Sequence, residues 1–188
     1  QQKQFFNLPL EGKISFRQKD QDTSFIQTSI KTGLGYNWNE NINSFLEFGW
    51  DKVIPEKESQ NILTISKKYT LGISLSLDYL DFNYNPRKGV YYQLEMSYAK
   101  QKNQTTSNYI PAKNQNNNFV SLVKLQNFIA TFSHQTVMIS ANWGKIQSDE
   151  KIVPLFNQFK LGGLSTLRGY REEEFSGSEI LWSNLEYR

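Results

Sequence analysis

The sequence predicts an all-β protein, the wall of an antiparallel up-and-down transmembrane β-barrel contributing about eight strands of a larger barrel. Three observations carry this. Apolar residues recur at every second position through most of the 188 residues, no stretch reads as a helix, and the links between strand-like segments alternate short and long.

The alternation can be followed in order. Around Leu8 to Arg17 the residues Leu8, Leu10, Ile14 and Phe16 share a face, and around Ser24 to Trp38 so do Ile26, Ile30, Leu34, Tyr36 and Trp38. Leu46, Phe48 and Trp50 mark a third segment, Ser44 to Val53. The clearest case is Tyr69 to Tyr79, where Tyr69, Leu71, Ile73, Leu75, Leu77 and Tyr79 oppose Thr70, Gly72, Ser74, Ser76 and Asp78. Its ten steps at ~3.4 Å give roughly 34 Å. Tilted by about 40°, that covers roughly 26 Å, close to the apolar band of about 25 Å in outer-membrane barrels, with tyrosines where aromatic girdles belong.

Next, Val90, Tyr92, Leu94, Met96 and Tyr98 oppose Tyr91, Gln93, Glu95, Ser97 and Ala99. Phe119 to Phe132 alternates less cleanly, because Lys124 and Gln126 share the parity of Val120, Leu122 and Phe128, and its facing stays open. Thr136 to Ile146 and Glu179 to Arg188 complete the series.

Asn39 to Asn43, Asn85 to Gly89 and Ser133 to Gln135 read as short turns. Pro55 to Ile65, the Asn/Gln-rich Gln101 to Asn118 and Gln147 to Gly177 read as long links, and only Lys19 to Asp22 is brief on that side. Short turns at one end and long loops at the other fit periplasmic and extracellular ends. A soluble antiparallel sandwich is the alternative.

Composition narrows the function classes. The 21 basic and 18 acidic residues are interspersed, for a net charge of +3, so nucleic acid is not expected as a partner. Without cysteine there are no disulfides or Cys-based zinc sites. No run approaches the ~20 apolar residues of a spanning helix, and the mean hydropathy is −0.60; a barrel strand hides its lipid-facing residues in alternate positions, so neither fact opposes a membrane. Gln1 to Leu10 lacks the features of a secretory leader, and Arg188 falls in mid-strand. Residues 1–188 are therefore expected to be middle-to-late strands of one barrel domain, incomplete at both ends.

The most informative segment is Leu161 to Gly177, LGGLSTLRGYREEEFSG. It joins Gly162-Gly163 to an Arg168-Gly169-Tyr170 turn and an acidic run, Glu172 to Glu174, which is expected to be merely solvated. In the strand that follows, Asn184, Glu186 and Arg188 share one face opposite Leu181, Leu185 and Tyr187. Asn85, Pro86 and Gly89 supply turn chemistry and are expected to set register. His134 lies in a short turn unsuited to a metal, Gly33-Leu34-Gly35 opens no helix and so cradles no phosphate, and no nucleophile elbow occurs. The expectation is no enzyme, no catalytic residues, no cofactor and no metal.

Taken in order, the NPRKG turn, two hairpins, PLFNQFKLGG, STLRGY and a strand ending NLEYR resemble the bacterial surface antigen superfamily of outer-membrane assembly and secretion barrels. That superfamily includes the BamA/TamA-type insertases and the two-partner secretion transporters. The motif-level similarity covers Leu77 to Arg188. It implies a loop at 161–177 that folds into the lumen, opened by Gly162 and Gly163, with its tip at Arg168, Gly169 and Tyr170 docked on an inner-wall strand carrying Asn184, Glu186 and Arg188. It also implies that the arginine's usual acidic partner lies on a later strand, with Glu186 the nearest alternative here, and that Asn85, Pro86 and Gly89 form a periplasmic turn.

The implied function is assembly, insertion or translocation of other proteins at the bacterial outer membrane. The implied partners are outer-membrane lipid, unfolded or secreted substrate proteins and, through upstream modules, periplasmic accessory proteins. Two alternatives stay open: a soluble β-rich adhesin or binding module, and a barrel anchor fused to a patatin-like lipase.

Overall fold

The computed structural model describes residues 9–21, 25–55, 65–104, 115–132, 134–149 and 153–188. Ten strands occur in this order: β1 (Leu10–Gln21), β2 (Phe25–Asn37), β3 (Ile42–Pro55), β4 (Ile65–Asp78), β5 (Gly89–Gln104), β6 (Gln115–Phe132), β7 (Gln135–Ser148), β8 (Phe159–Leu161), β9 (Phe175–Gly177) and β10 (Glu179–Tyr187). Eight form one antiparallel sheet in the order β1-β2-β3-β4-β5-β6-β7-β10, while β8 and β9 pair only with each other. Each strand of the sheet adjoins its neighbour in sequence, apart from the β8–β9 hairpin inserted before β10. That is up-and-down topology, and each of the eight expected strands is present.

Which side of the sheet is buried decides its environment. A soluble sandwich buries the apolar faces of its sheets against each other. Here Leu71, Ile73 and Leu75 are 49%, 58% and 42% exposed, and Ile14, Phe16, Leu34, Phe48, Leu94, Ile139, Leu181 and Leu185 are exposed with them. The covered side carries Asp51, Ser66, Gln101, Asn116, Asn118, Thr136, Ser140 and Asn142. So large an outward apolar surface requires a nonpolar medium. The soluble alternative fails on this inversion.

Cross-strand register gathers aromatic residues into two belts on the apolar face. Trp50 lies opposite Tyr69, and Tyr98 opposite Phe119. Towards the short-turn end, Tyr92 pairs with Leu77, Tyr36 packs edge-on against Trp38 at 5.0 Å, and the Trp38 indole donates to Ser44 Oγ at 3.0 Å. Amphipathic rings at both edges of an apolar band are the expected interfacial anchors.

Two local expectations are corrected, and one left open is resolved. Gln101 to Asn118 is not wholly a link: the ladder continues through Ala99–Asn118, Gln101–Asn116 and Lys102–Gln115, so β5 and β6 outlast the apolar band. Backbone pairing needs no apolar side chain, and periodicity marks only the part of a strand that meets lipid. β1 likewise runs to Gln21, so the brief Lys19 to Asp22 link is shorter than expected, and 22–24 lie outside the described residues. In β6, Val120, Leu122, Lys124, Gln126 and Phe128 prove to share the covered face, since Phe119, Leu125 and Ile129 are exposed on the other.

The turn from β4 to β5 shows how register is fixed at the short-link end. Asn85 takes φ 53° and Gly89 φ 120°. A Cβ on Gly89 would strike the Tyr79 carbonyl, so only glycine closes the turn. Asp81, which the sequence reading passed over, accepts from the amides of Phe82, Arg87 and Lys88 at 3.0, 2.9 and 3.2 Å. Desolvation is the largest single influence and pushes its carboxyl up, but the backbone donors, led by Arg87, together outweigh it and hold the carboxyl below its usual range.

A loop docked across the polar face

Between β7 and β10 the chain crosses the polar face of the sheet. The apolar parts of this crossing rest where the sheet offers rings or missing side chains. Phe156 meets Phe25 of β2 edge-on at 6.0 Å. The Phe159 ring sits on Gly144 of β7, where an added Cβ would lie 2.9 Å from Cζ. Polar contacts lie between: Lys68 donates to Asn157 Oδ1 at 3.1 Å, and Asn157 Nδ2 donates to Gln101 Oε1 at 2.6 Å. Inward contacts are thus already made at Phe156, ahead of the 161–177 loop expected to be opened by Gly162 and Gly163.

The hairpin β8–β9 frames the Gly-Gly and Arg-Gly-Tyr elements. Gly162 has φ 123°, and a Cβ there would overlap the Arg171 carbonyl. Thr166 Oγ1 accepts from Gly162 N at 2.8 Å and donates to Gly162 O at 2.9 Å. Gly163, at φ 82°, donates its amide to the Tyr170 carbonyl at 3.2 Å, and Gly169 has φ 92°. Tyr170 packs edge-on against Phe175 at 5.0 Å. These bonds close the 162–174 loop on itself, so the tip is a preformed unit.

At its tip, Arg168 Nη2 lies 3.3 Å from Glu186 Oε1 on β10. Only one nitrogen of the Arg168 fork reaches the carboxylate, so the pairing is not bidentate. Arg188 instead directs Nε and Nη2 at Glu186 Oε2, at 3.0 and 2.7 Å. One carboxylate, 17% exposed, therefore stands between two guanidiniums, and that of Arg168 is 64% exposed. Asn184 shares the Glu186 face and pairs in register with Ser140. The structure brings Arg168, Glu186 and Arg188 together; Asn85, Pro86 and Gly89 belong to a separate turn.

The acidic run is not simply solvated. Glu173, at φ 56°, forms an ion pair with Lys19 of β1, and Glu174 Oε2 accepts from Arg171 N at 2.8 Å. The partner 154 positions away was invisible in the sequence. The loop consequently touches the faces of β1, β2, β4, β5, β7 and β10. We expect Lys19→Met and Glu173→Gln to weaken the loop–wall contact equally, and the double variant to add little. Both side chains are about a third exposed, so the coupling should be about 0.5–1 kcal/mol, read from a double-mutant cycle on loop protease protection. Additive effects would show that the ion pair is not formed.

A polar-lined sheet with an outward apolar band and an inward loop defines a wall of an outer-membrane-type β-barrel. A family model described as the Omp85 superfamily domain matches residues 4–185, and the chain belongs to that superfamily. Its members are associated with the outer membrane and with protein assembly or translocation there. Comparison with curated proteins gives no match.

Proposed function

We propose that this chain is part of a barrel in the bacterial outer membrane that inserts or translocates other proteins, with the 153–177 loop stabilising the barrel while a substrate is handled. Nothing is chemically transformed. Substrate strands would add to an exposed sheet edge by β-augmentation, in which backbone hydrogen bonds supply affinity regardless of sequence. The partners are outer-membrane lipid on the apolar face and unfolded or secreted proteins, with periplasmic accessory proteins acting through further modules. A fused lipase has no observation in its favour.

The supporting observation is the docking of Arg168 beside Glu186 within a preformed loop on the polar face. The test is Arg168→Ala in the full-length parent, measured by substrate maturation. Because Arg168 is largely exposed, its ion pair contributes only about 0–1 kcal/mol, and Arg188 still holds Glu186. Activity should fall by roughly two- to fivefold, in line with that energy, while Glu172→Ala leaves it unchanged. Equal effects of the two substitutions would remove the loop tip from the function.

A further inference from the structure

We infer that four outward-facing lysines at the long-link end of β3, β4 and β5 bind the phosphate groups of outer-leaflet lipid. The inference rests on the outer-membrane reading above and adds a ligand for one part of the lipid-facing surface. Lys52 lies directly opposite Lys67, and Lys67 directly opposite Lys102, so three cations form one row across three adjacent strands. Lys100, opposite Tyr69, is the next outward residue of β5. All three strands have neighbours on both sides, so the row is complete within the sheet.

The fold leaves this charge unmet. Like charges directly opposite each other destabilise a sheet. Lys100 and Lys102 are exposed, Lys52 and Lys67 are half-buried, and among the described residues none of the four finds a hydrogen bond or an ion pair. Lys145 of β7, by contrast, reaches Glu179 at 3.1 Å. The nearest outward acids are Asp20 on β1 and Asp149 just past β7, each two strands away, and Asp149 already accepts from Asn117 Nδ2 at 2.9 Å. The adjoining links do not cancel the surplus in composition: 56–64 contains Glu56, Glu58 and Lys57, and 105–114 contains Lys113 and no acid. With them included, six lysines stand against two glutamates.

Position selects the occupant. Trp50 and Tyr69 of the aromatic belt are each two residues from the row, which therefore lies roughly 7 Å along the strands beyond the belt. Headgroups begin at that level. Lysine stems lie along apolar surface while the ammonium reaches outward, and Phe48, Leu71 and Ile73 beyond the belt are exposed to acyl chains. Two strand spacings, about 10 Å, separate Lys52 from Lys102, enough for a headgroup with more than one phosphate. A free phosphate has no part that matches the apolar band, and an acidic protein segment would have to displace lipid from it.

The test uses the full-length protein in zwitterionic detergent, with retained lipid counted by native mass spectrometry. Bisphosphorylated lipid A, its dephosphorylated form and inorganic phosphate are titrated separately. The bisphosphorylated form should be retained preferentially. Lys67→Gln should weaken its retention about fivefold, and Lys52→Gln, Lys67→Gln and Lys102→Gln together about a hundredfold, given the attraction per lysine near an anionic membrane surface. Lys31→Gln, whose lysine pairs with Glu47 at 2.8 Å on the polar face, should not. A second readout separates binding from folding. Without anionic lipid, Lys67→Gln should be at least as heat-stable as the parent, because a repulsion is removed; on adding lipid A the parent should gain more.

Equal retention of phosphorylated and dephosphorylated lipid, equal retention by all variants, or inorganic phosphate binding as tightly as the lipid would each overturn the assignment. A protein that stays monodisperse without detergent would sink the membrane reading itself. Detergent dependence with binding blind to the headgroup would sink only the lysine row.

Discussion

Glu186→Gln is expected to undock the loop far more severely than Arg168→Ala, although both remove the same contact. The reason is the asymmetry of the cluster. Without Arg168, the carboxylate keeps both bonds from Arg188. Without the charge of Glu186, two guanidiniums are left facing each other beside a sheet face that carries no other acid on β7 or β10. Losing a charged partner from a largely buried site costs on the order of 1.5–3 kcal/mol, and more where a like-charge contact replaces it. The docked fraction should therefore fall by roughly ten- to a hundredfold. Protease accessibility at Arg171 in folded protein would report it. If Glu186→Gln has no larger effect than Arg168→Ala, the carboxylate does not organise the tip.

The second large effect is expected at Gly162. Gly162→Val places a branched side chain at φ 123°, in line with the Arg171 carbonyl, within a turn also held by Thr166. Backbone strain of this kind costs about 1–3 kcal/mol before any steric overlap is counted. The turn cannot widen without breaking both bonds to Thr166 and the bond from Gly163 to Tyr170. We expect the 162–174 loop to lose its closed form and Arg168 to leave Glu186, while the eight-stranded sheet folds as before. Gly169→Ala is the informative comparison: it shares a positive φ, but a Cβ there meets nothing within 4 Å. If Gly162→Val and Gly169→Ala are equally mild in substrate maturation, the enclosed turn is not needed.

These effects also bear on how the loop contributes mechanically. Its contacts run from β10 through Arg168 to β1 through Glu173 and Lys19, strands at opposite ends of the described sheet. A link between strands so far apart resists changes in sheet curvature that neighbouring backbone bonds alone permit. Asn157, bonded to both β4 and β5, supports the middle of the span. Each contact is individually modest, and the loop's rigidity comes from having them at once.

The sequence by itself determined the eight wall strands and, except in β6, their facing. Period-two alternation is a local property, so Tyr69 to Tyr79 and Val90 to Tyr98 announced which residues meet lipid. The turn residues Asn85, Pro86 and Gly89 are equally local, since the backbone angles they permit are set within a few bonds. The loop tip and its wall strand were legible only as what the family resemblance implies, with Glu186 offered as the nearest partner of Arg168. Only the tertiary structure decided what lies across the polar face. Lys19 with Glu173, Asn157 with Gln101, and Phe159 on Gly144 join residues whose separation along the chain carries no pattern. Charges on a polar face are not constrained to alternate, so sequence cannot say which carboxylate each cation finds. Folding the loop back over the sheet settles it, by bringing Arg168 to the glutamate that Arg188 already holds from two residues along the chain.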